Sequence, residues 1–454
     1  MSEARLVWKQ DIRILPLWTV VLFLYYLDRA NLSHAVLLRS DGADNDDIVS
    51  DTGMTPRQYK TAQTVFFLAS ILFAVPSNIL LKRMGPSRWI ALTMFAWGVV
   101  SMCMSVADGA AAAGVRFLQG AFQAGILPGL PFHLTFWYRA RERGVRLALA
   151  LAVAVLASSF GPAIAQATVD NLRREGGIAA WRWLFIAEGA PACVVALVVL
   201  FALPDFPEAA SWLSNDEKEF AMRRLYVEGS KRYEKAASRD HTIHTLLDFR
   251  LYGHYLAFLG ISCALASLPL FAPAINSGRG FAGMQAQLMA VPPFAVAAAV
   301  GVVAGATADR FNSRALHAAV LATVGAIGFL ASAIVAGDAY GARYACLFLA
   351  TAGPFACLPL LLGWLADNVA DAPAVGLALA LNAGLGGGLG DMVATWSYKD
   401  DEAARGFPTG HWVNAVLLLS VAAVCILLRL HYHERNHRVR METGGHGAIR
   451  FFCY

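Results

Sequence analysis

Charge is scarce in this sequence. Only 15% of its 454 residues are Asp, Glu, Lys or Arg, against 57% hydrophobic, where an average soluble domain is about 25% charged. The shortfall runs along almost the whole length, which excludes a soluble enzyme held by a single anchor. Dense Lys/Arg runs with interleaved aromatics are missing as well, so the net charge of +5 points to no nucleic-acid partner. Seven cysteines show no C-x-x-C spacing, and Cys453 stands second from the end, the wrong place for prenylation. Metal, redox and cofactor chemistry therefore have no support, and no nucleophile–base arrangement suggests an enzyme. No cleavable leader is expected. Residues 1–13 are polar, and the apolar run that follows is a full span, expected to act as an uncleaved anchor.

Long apolar runs are what the sequence has instead. At about 20 residues per bilayer crossing, the hydropathy predicts twelve spans: 14–37, 59–81, 89–107, 111–137, 145–169, 181–203, 251–274, 284–308, 315–337, 343–366, 373–397 and 411–431. The largest polar gap, 204–250, divides them six and six, with a helix-like stretch from Asn215 to Gly229 inside it. The expected chain is an all-α membrane protein of twelve transmembrane helices: a polar N-terminus (1–13), a six-helix half (14–203), a central loop (204–250), a second six-helix half (251–431) and a tail (432–454). Basic residues fix its orientation. Lys82, Arg83, Arg88, Arg139, Arg141, Arg143, Arg146, Arg310, Arg314, Arg429 and Arg435 all fall on one side. That side should be cytosolic, with both termini on it. The opposite side carries the acidic run 41–51.

Inside the first span lie adjacent opposite charges, Asp28 and Arg29. A charge at membrane depth costs roughly 2.5–3.5 kcal/mol on insertion scales, so each needs a compensating role. Neighbours on a helix stand about 100° apart. Arg29 is expected to face a cavity while Asp28 faces a bundle partner, with Asn31 on the Asp28 side. Arg116, Gly120 and Gln123 share one face of span four, where an Arg offers a planar fork for a carboxylate. The alternative for Arg116 is a permanent brace against an acid such as Asp28.

The two halves echo each other. Asn78-Ile79-Leu80-Leu81-Lys82-Arg83-Met84-Gly85-Pro86-Ser87-Arg88 follows span two, and Gly305-Ala306-Thr307-Ala308-Asp309-Arg310-Phe311-Asn312-Ser313-Arg314 follows span eight. Both set a charged pair and a later Arg in the equivalent loop. These stretches carry a resemblance, together with Tyr26-Leu27-Asp28-Arg29-Ala30-Asn31, Arg116-Phe117-Leu118-Gln119-Gly120, Trp181 to Gly189, Gln287 to Pro293 and Trp364 to Asn368. The chain resembles the anion:cation symporter branch of the major facilitator superfamily, and within it the fungal allantoate permease-type transporters.

The resemblance implies two halves rocking around a central site, normally as a monomer, and import of a small organic anion with protons across the plasma membrane. A vitamin or an allantoate-like compound is the implied substrate class. It further implies Arg29 and Arg116 as anion ligands, with Asn31, Gln123 and Asn382 beside them, and Asp28 as a proton site. Gln123 stands where the family has Glu, and Gln does not titrate. Glu188 in span six is the candidate substitute. Lys82, Arg83, Asp309 and Arg310 are expected to gate the cytosolic side. The glycine-dense stretch 384–390 lies inside a span and is read as close helix packing or a hinge rather than a phosphate loop. Trp364, Asn368, Asn382 and Trp396 are candidates to complete the cavity from the second half. Two other functions fit the same features: export of a secondary metabolite, and a nutrient sensor that binds without transporting.

Overall fold

The computed structural model describes residues 3–38, 47–108, 111–172, 177–227, 239–281, 289–369, 372–443 and 452–454. The described secondary structure is helical. Helix α1 (Glu3–Leu37) is followed by the short α2 (Ile48–Thr52), α3 (Pro56–Met84), α4 (Pro86–Met104), α5 (Ala111–Gln123), α6 (Ile126–Leu134), α7 (Ala140–Leu172) and α8 (Ala180–Ala202). Two extramembrane helices follow, α9 (Asn215–Val227) and α10 (Arg239–Leu247). The second half contains α11 (Phe249–Gly278), α12 (Val291–Phe311), α13 (Arg314–Ile334), α14 (Tyr340–Asn368), α15 (Ala372–Leu381), α16 (Leu389–Ser397) and α17 (Pro408–Thr443). Among the described residues, ten helices are long and apolar enough to cross a membrane. The 33-residue α7 and the broken pair α5–α6 make the other two spans.

Local sequence explains the boundaries. Thr55 caps α3 in a reciprocal box with Gln58, and Pro56 opens the helix where its missing N–H costs nothing. Ser214 and Glu217 exchange backbone bonds at the start of α9 in the same way. The polar stretch before span one is not a separate terminus: from Glu3 it is the first turns of α1. At 35 residues that helix is about 52 Å long, well beyond a hydrocarbon core of about 30 Å. Its protruding end is held by Lys9 on Glu217 and by Asp11 on Arg146. Span four, expected as one helix, breaks at Ala124–Gly125. A Cβ on Gly125 would lie 2.0 Å from Ser77 Oγ, so α3 passes where only glycine leaves room. The start of span eight, 284–288, lies outside the described residues.

Lipid tails are as apolar as Leu, so close backbone approach holds such a bundle together. Gly98 of α4 and Gly189 of α8 face each other, each added Cβ falling within 2.8 Å of the other's carbonyl oxygen. The seam between the halves follows the same rule. On one side α12 packs along α7; on the other, α15 and α16 pack along α3. Between α15 and α16 the chain runs as a π-helix, Asn382–Gly388. There Gly386 meets the Tyr255 carbonyl and Gly388 meets Ile71, both closer than a Cβ allows. Close packing is thus the role of this glycine cluster.

Candidate functional site

At mid-depth the seam opens into a cavity of about 170 Å³, walled by α1, α3, α11, α14 and the π-helix with α16. Tyr25, Tyr26, Arg29 and Ser33 line it from α1, Gln63, Phe67 and Ser70 from α3, and Asp391 and Thr395 from α16. Arg29 is the basic residue of this wall. Its guanidinium donates to the Tyr25 hydroxyl at 2.9 Å and to the Asp391 carboxylate. It also lies 5.2 Å from the Phe67 ring centre and 5.5 Å from that of Phe66. This ion pair joins one half to the other. Asp391 was not singled out from the sequence, although an acid in an apolar span is the same signal that marked Asp28.

Asp28 points the other way, into the N-terminal half. It accepts from Ser101 of α4 and from Gln119 and Gln123 of α5. Arg116 lies next to this cluster, fully buried. It donates to Gln119 Oε1 and Gln63 Oε1, both at 2.8 Å, and lies 5.0 Å from the Phe66 ring centre. A chain therefore runs from Asp28 through Gln119 and Arg116 to Gln63, and only Gln63 reaches the cavity. Four residues expected at the substrate, Asn31, Arg116, Gln123 and Asn382, do not line it in this conformation. All four are buried. Glu188 is buried in α8, and neither of its carboxyl oxygens has a hydrogen-bond partner among the described residues. His133 is structural: Nδ1 accepts from Trp18 at 2.8 Å, which leaves Nε2 to donate to the Pro204 carbonyl at 2.9 Å.

At the face where α1 begins and α17 ends, hereafter the basic face, the halves are locked together. Asp367 of α14 receives Arg143 of α7 and Arg314 of α13. Asp309 accepts from the Val145 backbone N–H at 2.9 Å and from Arg314 at 3.0 Å. Lys82 sits where α15 passes α3, 5.3 Å from the Phe132 ring centre. Arg83 and Arg310 are exposed. Arg143, Asp367 and Arg314 thus join Asp309 at the lock, while Arg83 and Arg310 stay outside it. Trp364 and Asn368 are not cavity residues: both hold the main chain of Cys453, and Asn436 holds Phe452. Trp396 lies at the opposite end, bonded to Thr64.

Two six-helix halves around a mid-depth cavity, joined by ion pairs across the seam, define a membrane transporter built to rock about a central site. Residues 19–395 match the family model of the Major Facilitator Superfamily, and the chain belongs to that superfamily as a secondary transporter. It is 53% identical over 450 residues to the MFS transporter prlL of Fungal sp. (strain NRRL 50135), covering 99% of this chain and 90% of that one. It is 31% identical over 448 residues to an Agrobacterium vitis protein provisionally named a tartrate transporter, covering 98% and 97%. Among solved structures it superposes on the proton:xylose symporter XylE with a TM-score of 0.66 at 16% identity, over 93% of this chain and 95% of that one. The human organic anion transporter MFSD10 gives a TM-score of 0.62 at 14%, over 91% and 99%. At such identities these structures speak for the fold alone.

Proposed function

We propose that this protein imports a small organic anion with protons by alternating access, with its basic face in the cytosol of a plasma membrane. Arg29 carries the reading: a guanidinium on the cavity wall, in an aromatic setting where a planar fork suits a carboxylate. The likeness to a protein provisionally named for tartrate supports the same substrate class. With the basic face locked and the cavity at mid-depth, the conformation is the one that would receive substrate from outside.

One observation favours a second reading. Arg29 already has a carboxylate in Asp391, so the charges of this pair cancel. A neutral metabolite moving outward would meet the hydroxyls and aromatic rings of the same wall without disturbing that pair.

The test is uptake into proteoliposomes under an imposed pH gradient, with tartrate and nicotinate as probe carboxylates and Arg29→Ala as control. Accumulation that follows the proton gradient and is lost in the variant supports import of an anion. Transport of neither probe, with no gradient dependence, overturns it in favour of the exporter.

A further inference from the structure

The Arg29–Asp391 pair raises a problem that any anion must solve: its binding site is occupied by the protein's own carboxylate. We propose that Asp391 is the proton carrier, displaced from Arg29 by the substrate carboxylate and neutralised by the proton that travels with it. This rests on the anion reading above.

The argument is charge conservation in an apolar seam. In the empty carrier Arg29 is +1 and Asp391 −1, and the pair bridges α1 and α16. If a carboxylate took Arg29 while Asp391 stayed ionised, the cavity would hold an unpaired negative charge. The side chain of Asp391 is only 10% exposed, and such a charge is strongly disfavoured there. Binding one proton converts the Asp391 carboxylate to the carboxylic acid. Arg29 then pairs with the substrate, and the loaded cavity is neutral again. On the other side the steps reverse: Asp391 releases its proton, re-forms its bond to Arg29 and expels the anion. For a monocarboxylate both rocking states are neutral, and the half-loaded ones are not, which couples one proton to each substrate molecule.

The surroundings leave Asp391 free to act. Arg29 and Tyr26 face it from α1, and Ser262 lines the same wall from α11, with Cys263 buried behind it. Elsewhere on α3 and α17, Tyr59 is engaged by Ser33 and Gln63, and His411 by Tyr398 and Arg343. Asp28, by contrast, is surrounded by three donors of its own half and does not reach the cavity. Glu188 is buried away from it too.

The decisive experiment compares the full-length wild-type carrier with Asp391→Asn and Asp391→Glu in proteoliposomes, using tartrate and nicotinate. The Asn variant, a permanent mimic of the protonated acid, should lose gradient-driven accumulation yet keep exchange of internal for external probe. Its apparent affinity should be flat with pH. The wild type should weaken by about tenfold per pH unit per coupled proton above the titration of the pair, and the Glu variant should restore coupling. Gradient-driven accumulation by Asp391→Asn overturns the inference and leaves the anion reading standing. Failure of the wild type to bind or move either probe removes both. Should the Asn variant fail to fold, proton uptake by the purified wild type on adding nicotinate, a monocarboxylate, decides: one proton per nicotinate bound supports the inference, none overturns it.

Discussion

At the basic face, the end of α12 sets Asp309 against Gly144 of α7, and the end of α3 sets Lys82 against Gly376 of α15. The two places are related by the repeat between the halves. In each, the glycine is needed: an added Cβ would lie 2.2 Å from Asp309 Oδ1 at Gly144, and 2.5 Å from Lys82 Cε at Gly376. The seats match, and the charges in them are opposite. A carboxylate accepts from amide N–H groups, and Asp309 does so through Val145, with Arg314 behind it. An ammonium can only donate, so Lys82 cannot accept such a bond. The α7–α12 side is cross-linked into the Arg143–Asp367–Arg314 network, whereas Lys82 lies over the Phe132 ring. Equal geometry with unequal chemistry predicts that the two sides of the lock contribute unequally.

The largest effect should come from abolishing the stronger side. Asp367→Ala takes the carboxylate from the buried Arg143 and one of two carboxylates from Arg314, which keeps Asp309. Breaking a buried pair costs about 3–5 kcal/mol, here charged against the locked conformation alone. Distances between spin labels on the two halves at the basic face should shift towards the open population, and gradient-driven transport should fall with them. An unchanged distance distribution would mean the network does not hold the lock.

Next come the glycines themselves. Gly144→Ala meets a carboxylate held in place by Val145 and Arg314, whereas Gly376→Ala meets the Asn78 carboxamide oxygen and the flexible end of Lys82. Overpacking costs about 1–3 kcal/mol where neighbours cannot yield, so Gly144→Ala should slow transport by about tenfold or more, at 1.4 kcal/mol per decade. Gly376→Ala should slow it less. Equal effects would erase the distinction between the sides.

Much of this was legible in the sequence because hydropathy and charge act locally. Apolar runs marked the spans, the paired loops marked Lys82 and Asp309, and the 100° between Asp28 and Arg29 separated the residue inside the bundle from the one on the cavity wall. What was not legible depends on partners far apart in the chain. Asp391 lies 362 residues from Arg29 and directly follows a glycine cluster whose packing role drew attention from it. Arg116 has the chemistry of an anion ligand, and only the positions of Gln63 and Gln119 show that both its terminal nitrogens already have partners. The fate of Trp364 and Asn368, which hold the main chain of Cys453 rather than line the cavity, depends on where the tail returns after α17.

A contact away from the seam gives the other end of the scale. Lys9 and Ser214 hold the Glu217 carboxyl below its ordinary value, Lys9 through a charge-assisted bond and Ser214 through its backbone N–H. A depressed carboxyl contributes stability that is fully present above its unfolded value, about 4.3, and is lost as pH falls through the folded value. The thermal midpoint of the protein should therefore drop on acidification below about pH 4.3. Glu217→Gln, which keeps an oxygen for the Ser214 amide, should flatten that drop and lower the midpoint slightly at neutral pH. Because Lys9, Ser214 and Glu217 all belong to the first half and its following loop, the pair makes no distinction between the two rocking states. Transport at neutral pH should be unchanged. A transport defect in Glu217→Gln comparable to that of Gly376→Ala would show that α9 takes part in the lock, and the contrast between seam and periphery would have to be redrawn.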